Sequence, residues 1–277
     1  MKDGVSATRA SPRGSSAWLF VILSVLGISA MQAAHSFFPG DLPVARLGRL
    51  VCLAGGACLL IAGSRWLLLR DGLTADRLGL GVKAEHGRAF LFGASLAILH
   101  IAFLLAILYV AAPFEIVEGT KTFADVALAS MDYFAGNLVE ELLARGYLLI
   151  VLAHWLGTTR AIWMLAVPFG LFHFPGLDLV ALIKMMLTTG AMHFVYSYSF
   201  LATRSLWAAV AAHAVGNTLL HAVIGVDKPG ALALHFRQSF PESLDLPFVV
   251  FFGASAVFAL WMSRWSATRR GAAWMAA

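Results

Sequence analysis

Charge is scarce in this chain. Charged residues make up 13% of its 277 positions, against about 25% in an ordinary soluble domain. Hydrophobic residues make up 60%, and the mean hydropathy is +0.81. That balance excludes a typical water-soluble globule and implies a polytopic membrane protein. Cysteine is nearly absent too: Cys52 and Cys58 sit six apart in one apolar run, which suits neither a disulfide framework nor a thiolate metal site. There is no CxxC, GxGxxG, Walker-type or HExxH segment, so redox, nucleotide and two-histidine zinc-helix chemistry lack sequence support. The net charge of +5 comes from lysines and arginines that border the apolar runs instead of forming a stripe interleaved with aromatics. No nucleic-acid partner is implied.

What the chain has in abundance is long apolar runs. A helical span needs about 20 mostly apolar residues, and that measure finds about eight. They fall near Ala17 to His35, Leu50 to Leu69, Phe90 to Ala112, Val126 to Ala153, Ala161 to Phe174, Leu179 to Leu201, Leu206 to Val223, and Phe248 to Trp261. The first has the basic start of a signal peptide but is long enough to span and precedes many more such runs, so it is read as a retained helix. The fifth is short, and Pro168 and Pro175 predict a tilted or irregular element. The fold class expected is all-α: one polytopic helical bundle over residues 1–277, with a motif-bearing core at 126–220. With the amino terminus inside, thirteen basic residues fall in the inside segments and five outside. The expectation is an integral protein of a prokaryotic cytoplasmic membrane with both termini cytoplasmic. The stretch from Arg70 to Arg88 reads as a solvated cytoplasmic connector.

Within this apolar background a few polar side chains stand out, because ionisable groups inside spans are costly and usually face a protein interior or a water-filled cavity. The fourth span carries Asn137-Leu-Val-Glu140-Glu141-Leu-Leu-Ala144-Arg145. Glu141 and Arg145 are four apart on one helical face and are expected to pair. Glu140 points about 100° away, with the small Gly136 and Ala144 above and below it. That leaves room for a water beside a carboxylate suited to act as a general base; a polar network that only glues helices together is the bland alternative. Phe169 and His173 lie four apart on the fifth span, and His213 and Asn217 four apart on the seventh. His193 sits in a small-residue polar patch with Ser197 and Ser199 on the sixth span, either lining a cavity or buried in a structural role.

The order EExxxR, FxxxH, HxxxN, each on a separate apolar segment, resembles the CPBP family. It is also called the Abi or CAAX-protease-and-bacteriocin-processing family, and its eukaryotic relatives are the type II CAAX prenyl proteases. Residues 140–145, 169–173 and 213–217 carry the three motifs, and Arg204-Ser205-Leu206-Trp207 before the third is also typical. Ala144 departs from the pattern, where an aromatic commonly precedes the arginine. The resemblance implies an intramembrane endopeptidase. Glu140 and His173 would activate water, His213 and Asn217 would form the oxyanion site, and Glu141, Arg145 and Phe169 would support them. The substrate implied is a membrane-associated or lipid-modified protein or peptide, with the lipid bilayer as surroundings. No cofactor is favoured, although Glu140, His173 and His213 are acceptable zinc ligands. A transporter or channel with an intramembrane Glu/His path, and a non-catalytic membrane scaffold, are the alternatives from other classes.

One expectation is awkward. Counted from Ala161, His173 falls near the end of its short span, while Glu140 and His213 fall near the middle of theirs. They meet only if that segment is displaced in depth.

Overall fold

The apolar runs become helices packed around the polar one. A computed structural model describes residues 14–40, 42–171, 173, 178–225, 229–237 and 246–268. The basic residues Lys2, Arg9 and Arg13, and also Pro175, lie outside the described residues. In chain order the helices are α1 (Gly14–Phe37), α2 (Pro43–Arg70), α3 (Ala84–Ala111), α4 (Phe123–Arg145), α5 (Tyr147–Leu156), α6 (Thr158–Leu171), α7 (Leu179–Thr203), α8 (Leu206–Asn217) and α9 (Leu246–Thr268). A wider turn over Thr218–Val223 extends α8. Among the described residues, six helical segments are long and apolar enough to cross a bilayer unaided: those of α1, α2, α3, α7, α8 with its extension, and α9. The other two expected spans are not. The fourth carries Asp132, Glu140, Glu141 and Arg145, and α6 has only 14 residues.

The expected fourth span is therefore corrected from one helix to two. α4 stops at Arg145 and α5 starts at Tyr147, with Gly146 between them. Gly146 still donates its N–H to the Leu142 carbonyl, but a methyl group on its Cα would overlap that same carbonyl. Only glycine fits the change of direction.

α4 begins where its sequence says it should. Thr122 accepts from the Asp125 N–H, while its own hydroxyl and N–H donate to Asp125 Oδ2 at 2.7 and 3.0 Å. This reciprocal cap satisfies donors left open by the first turn. The same hydrogen bonds from Thr122 hold the exposed Asp125 carboxyl below its ordinary range.

Close helix contacts set the frame of the site. α8 packs against α3, α4 and α7, and α7 also packs against α6 and α9. At the α3–α8 crossing Gly93 lies so near the Ala208 carbonyl that a methyl group would overlap it, the close backbone approach small residues permit between membrane helices. Asp71, buried at the end of α2, accepts from Ser16 on α1 at 2.7 Å and from Tyr147 on α5 at 2.6 Å. α1 is thereby fastened beside α4 and α5. The Arg70 to Arg88 connector is less solvated than expected. Leu78 is buried, and Gly79 and Gly81 accept hydrogen bonds from Ser205 and Trp207 at the start of α8.

The sequence reading did not anticipate two short strands. β1 (Phe114–Glu118) and β2 (Leu232–Phe236) pair antiparallel, with Phe114 opposite Phe236 and Glu118 opposite Leu232. Phe114, Leu234 and Phe236 turn into an apolar cluster with Ile101, Leu104 and Val250. The bundle remains all-α in character, with this small sheet over the end where α3 finishes and α9 begins.

Candidate active site

The three motifs converge. Glu140 Oε2 lies 3.3 Å from His173 Nε2 and 3.9 Å from His213 Nε2. One ligand-type atom from each of the three residues fits within 4.8 Å of the others. The depth problem posed by His173 resolves at Gly157, the turn between α5 and α6. There the chain reverses and α6 runs back against α5, which returns His173 to within 3.3 Å of Glu140. His173 itself sits just past the end of α6, where its N–H returns to the Gly170 carbonyl.

Each histidine is oriented by its other ring nitrogen. His173 Nδ1 is 2.9 Å from the Phe169 carbonyl, and His213 Nδ1 is 2.8 Å from Glu141 Oε1. Both partners are acceptors, so each Nδ1 carries the hydrogen and each Nε2 faces Glu140. Glu140 Oε2 is buried and accepts no well-aligned hydrogen bond among the described residues, despite the nearness of His173. A carboxylate oxygen and two ring nitrogens thus surround one small region that suits a polarised water or a cation.

Glu141 has a different setting. Its carboxylate lies 3.0 Å from Arg145 Nη1 and holds His213 through Oε1. Arg145 is completely buried, and it donates through Nη2 to the His193 carbonyl at 3.0 Å and to His193 Nδ1 at 2.7 Å. Its Nε reaches Ser197 Oγ at 3.3 Å. His193 Nε2–H in turn donates to the Ile162 carbonyl at 3.1 Å. The open question over His193 is settled by this geometry: it is a buried clamp on Arg145. Phe169 supports the site twice, lying under the Arg145 guanidinium at 4.4 Å and lending its carbonyl to His173. Tyr196 stacks on His213 with ring centroids 4.4 Å apart.

Asn217 lines the same large cavity as His173 and His213, about 770 Å³ in volume and otherwise walled mainly by apolar residues of α3, α7, α8 and α9. Its Nδ2 donates to Asn137 Oδ1 at 3.2 Å. Asn137 is buried on α4, one helical turn before Glu140 and Glu141. Sequence reasoning passed over it, although an asparagine one turn from a pair of membrane glutamates is itself a buried polar group that needs a partner. Asn137 fixes the orientation of the Asn217 amide and leaves its second N–H for the cavity.

Residues 121–219 match a family model, type II CAAX prenyl endopeptidase Rce1-like. The resemblance read from the three motifs is therefore shown. The matched segment contains every motif residue, while α1, α2, the Arg70 to Arg88 connector, α3 and α9 lie outside it. No curated protein matches the chain. At the level of the Rce1-like family, the match supports protease activity, and the apolar helices mark an integral membrane protein.

Proposed function

We propose that this protein is an intramembrane endopeptidase that hydrolyses a peptide bond of a membrane-associated or lipid-modified protein or peptide through a water activated by Glu140. The observation that carries the reading is the buried Glu140 Oε2 facing His173 and His213, both of which line the large cavity. Hydrolysis needs a base for water, stabilisation of the carbonyl oxygen as it gains charge, and a proton for the leaving amine. Glu140, aided by His173, takes a proton from water as the oxygen attacks the scissile carbonyl. His213 and Asn217 donate to the oxyanion. Glu140 then passes its proton to the amine, which leaves with an intact N–H bond. Since His213 Nδ1 already donates to Glu141, donation from Nε2 requires the doubly protonated ring, which the Glu141 carboxylate supports from behind.

One observation favours a second reading. The two Nδ1 hydrogens are both spent on acceptors, so two Nε2 lone pairs and a carboxylate converge, as they do where histidines bind a metal through one nitrogen and are oriented through the other. Glu140, His173 and His213 would hold zinc, which when bound supplies Lewis-acid polarisation. The readings differ in the state of His213, neutral as a ligand and charged as an oxyanion donor. We favour the metal-free reading because Asn217 is a hydrogen-bonding group and a poor zinc ligand.

The test is cleavage by purified protein of a peptide substrate identified from the membrane peptidome. Glu140→Ala is expected to lower turnover by orders of magnitude while remaining folded, and near-normal turnover by the folded variant would sink the proposal. Stoichiometric zinc, with activity lost on chelation and restored by zinc alone, would decide for the metal-dependent version.

A further inference from the structure

The small sheet has two edges, and they differ. β1 carries Glu115 and Glu118, both exposed, the kind of charge that keeps an open strand from pairing with other chains. β2, with the sequence Leu-Ala-Leu-His-Phe, has no acidic residue, lysine or arginine. The register shows which of its backbone groups are already used. Gly119 donates its N–H to the Ala231 carbonyl, and Arg237 donates to the Pro113 carbonyl. Hydrogen-bonded pairs alternate along an antiparallel ladder, so within β2 the N–H and C=O groups of Ala233 and His235 face β1. Those of Leu232 and Leu234 point the other way. Among the described residues nothing pairs with them.

That outward edge borders the large cavity. Ala233, Leu234 and Phe236 line it, whereas no residue of β1 does. Ala233 and Leu234 turn their side chains to opposite faces of the sheet, so the cavity meets the strand along its edge. His173, His213 and Asn217 line the same cavity. The strand also begins beside the helix that carries two of them, because Ala231 donates its N–H to the Ala222 carbonyl, five residues past Asn217.

We infer that the free edge of β2 is a substrate-docking edge: the peptide segment beside the scissile bond adds to β2 as a third, extended strand. The inference rests on the proposed function. A helical segment keeps its peptide groups bonded to one another, so a membrane-embedded substrate must unwind before water reaches a scissile carbonyl. Unwinding strips N–H and C=O groups of their partners where little water replaces them. An open strand edge returns those partners on every second residue, through backbone groups that any sequence possesses. Because the edge opens on a cavity walled by α3, α7, α8 and α9, a single extended segment fits it better than a folded partner.

The test uses the full-length protein in detergent micelles and one peptide that wild type cuts, drawn from a pool of synthetic single-span peptides. Each backbone N–H near the cut, apart from the scissile bond, is replaced in turn by an ester oxygen. Esters at alternate positions on one side of the cut are expected to lower kcat/KM by about tenfold each, with the positions between them little changed. Leu234→Pro removes an outward N–H and leaves the bonds to β1 in place. Its kcat/KM is expected to fall about tenfold below that of Leu234→Ala, which shortens the same side chain but keeps the N–H. On Glu140→Gln protein the bound, uncut peptide should slow amide exchange at Leu232 and Leu234 while Ala233 and His235 stay as they were. Equal losses at all ester positions, a helical repeat of about 3.6 residues, or Leu234→Pro matching Leu234→Ala overturns the docking edge and leaves the protease standing. Slowing at Leu232 and Leu234 that needs no peptide and grows with protein concentration assigns the edge to a second copy of the chain and likewise overturns it. If Leu234→Pro does not fold, the ester scan and the exchange measurement decide. Wild type that cuts nothing in the pool, or Glu140→Gln protein that cuts as wild type does, overturns the proposed function and this inference with it.

Discussion

Glu140 and Glu141 are neighbours on one helix and live in opposite worlds. Glu141 is fully buried, bound to Arg145 and His213, and tied through Arg145 to His193, Ser197 and the α6 backbone. Glu140 keeps 15% of its side chain exposed, and its Oε2 faces the ring nitrogens of His173 and His213, two residues that line the large cavity. An offset of one residue turns one carboxylate toward Arg145 and the other toward His173. The lesson is that burial alone does not mark the working group. A buried carboxylate paired with an arginine holds helices together, whereas one that faces two cavity-lining histidines is placed for chemistry.

The comparison breaks most visibly at Arg145. Arg145→Ala leaves Glu141 buried without its counter-charge, and removing one partner of a buried pair costs about 3–5 kcal/mol. The expected outcome is a large fall in the unfolding midpoint in detergent, with activity lost as a consequence of misassembly. Unchanged stability with selective loss of turnover would move Arg145 from the support into the chemistry.

A smaller effect sharpens the open side. Asn217→Ala should reduce kcat by about 100-fold to 1000-fold, the usual cost of one oxyanion donor, with little change in stability. Asn137→Ala removes only the hydrogen bond that orients Asn217, worth about 1.4 kcal/mol or roughly tenfold. Asn137→Asp keeps the acceptor and should recover activity. In an Asn217→Ala background, Asn137→Ala should do nothing further, because residues that act through one another do not add. Full additivity in the rate cycle would show that Asn137 acts elsewhere.

The smallest effect lies outside the membrane. The Asp125 carboxyl is held below its ordinary value by Thr122, so its contribution is present above about pH 3.9 and fades as the pH falls through the lower folded value. Asp125→Asn should destabilise the start of α4 slightly at neutral pH, seen as faster amide exchange there. The difference from wild type should close in acid, and a difference that instead grew in acid would reverse the sign of the argument.

Much of this site was legible in the sequence because helical geometry is local. The spacing of Glu141 and Arg145, and of Phe169 and His173, fixes which side chains share a face, and the i,i+4 pair forms at 3.0 Å as that spacing requires. Cross-helix facts were less accessible. The break at Gly146 depends on a glycine conformation that reads in sequence as a tolerable interruption of an apolar run. The meeting of His173 with Glu140 depends on the reversal at Gly157, which a count along one span does not reveal. Asn137 and His193 acquire their roles from partners 80 and 48 residues away, separations that no periodicity encodes. The two strands escaped notice because each is five residues long and finds its partner across the whole of α4 to α8.

Turnover and unfolding midpoint measured together for Glu140→Gln and Glu141→Gln show whether the two glutamates divide structure from chemistry. Glu140→Gln is expected to unfold at or above the wild-type midpoint with turnover reduced by at least about 1000-fold, while Glu141→Gln is expected to unfold well below it. Substantial turnover by Glu140→Gln, or a Glu141→Gln protein as stable as wild type, would contradict it.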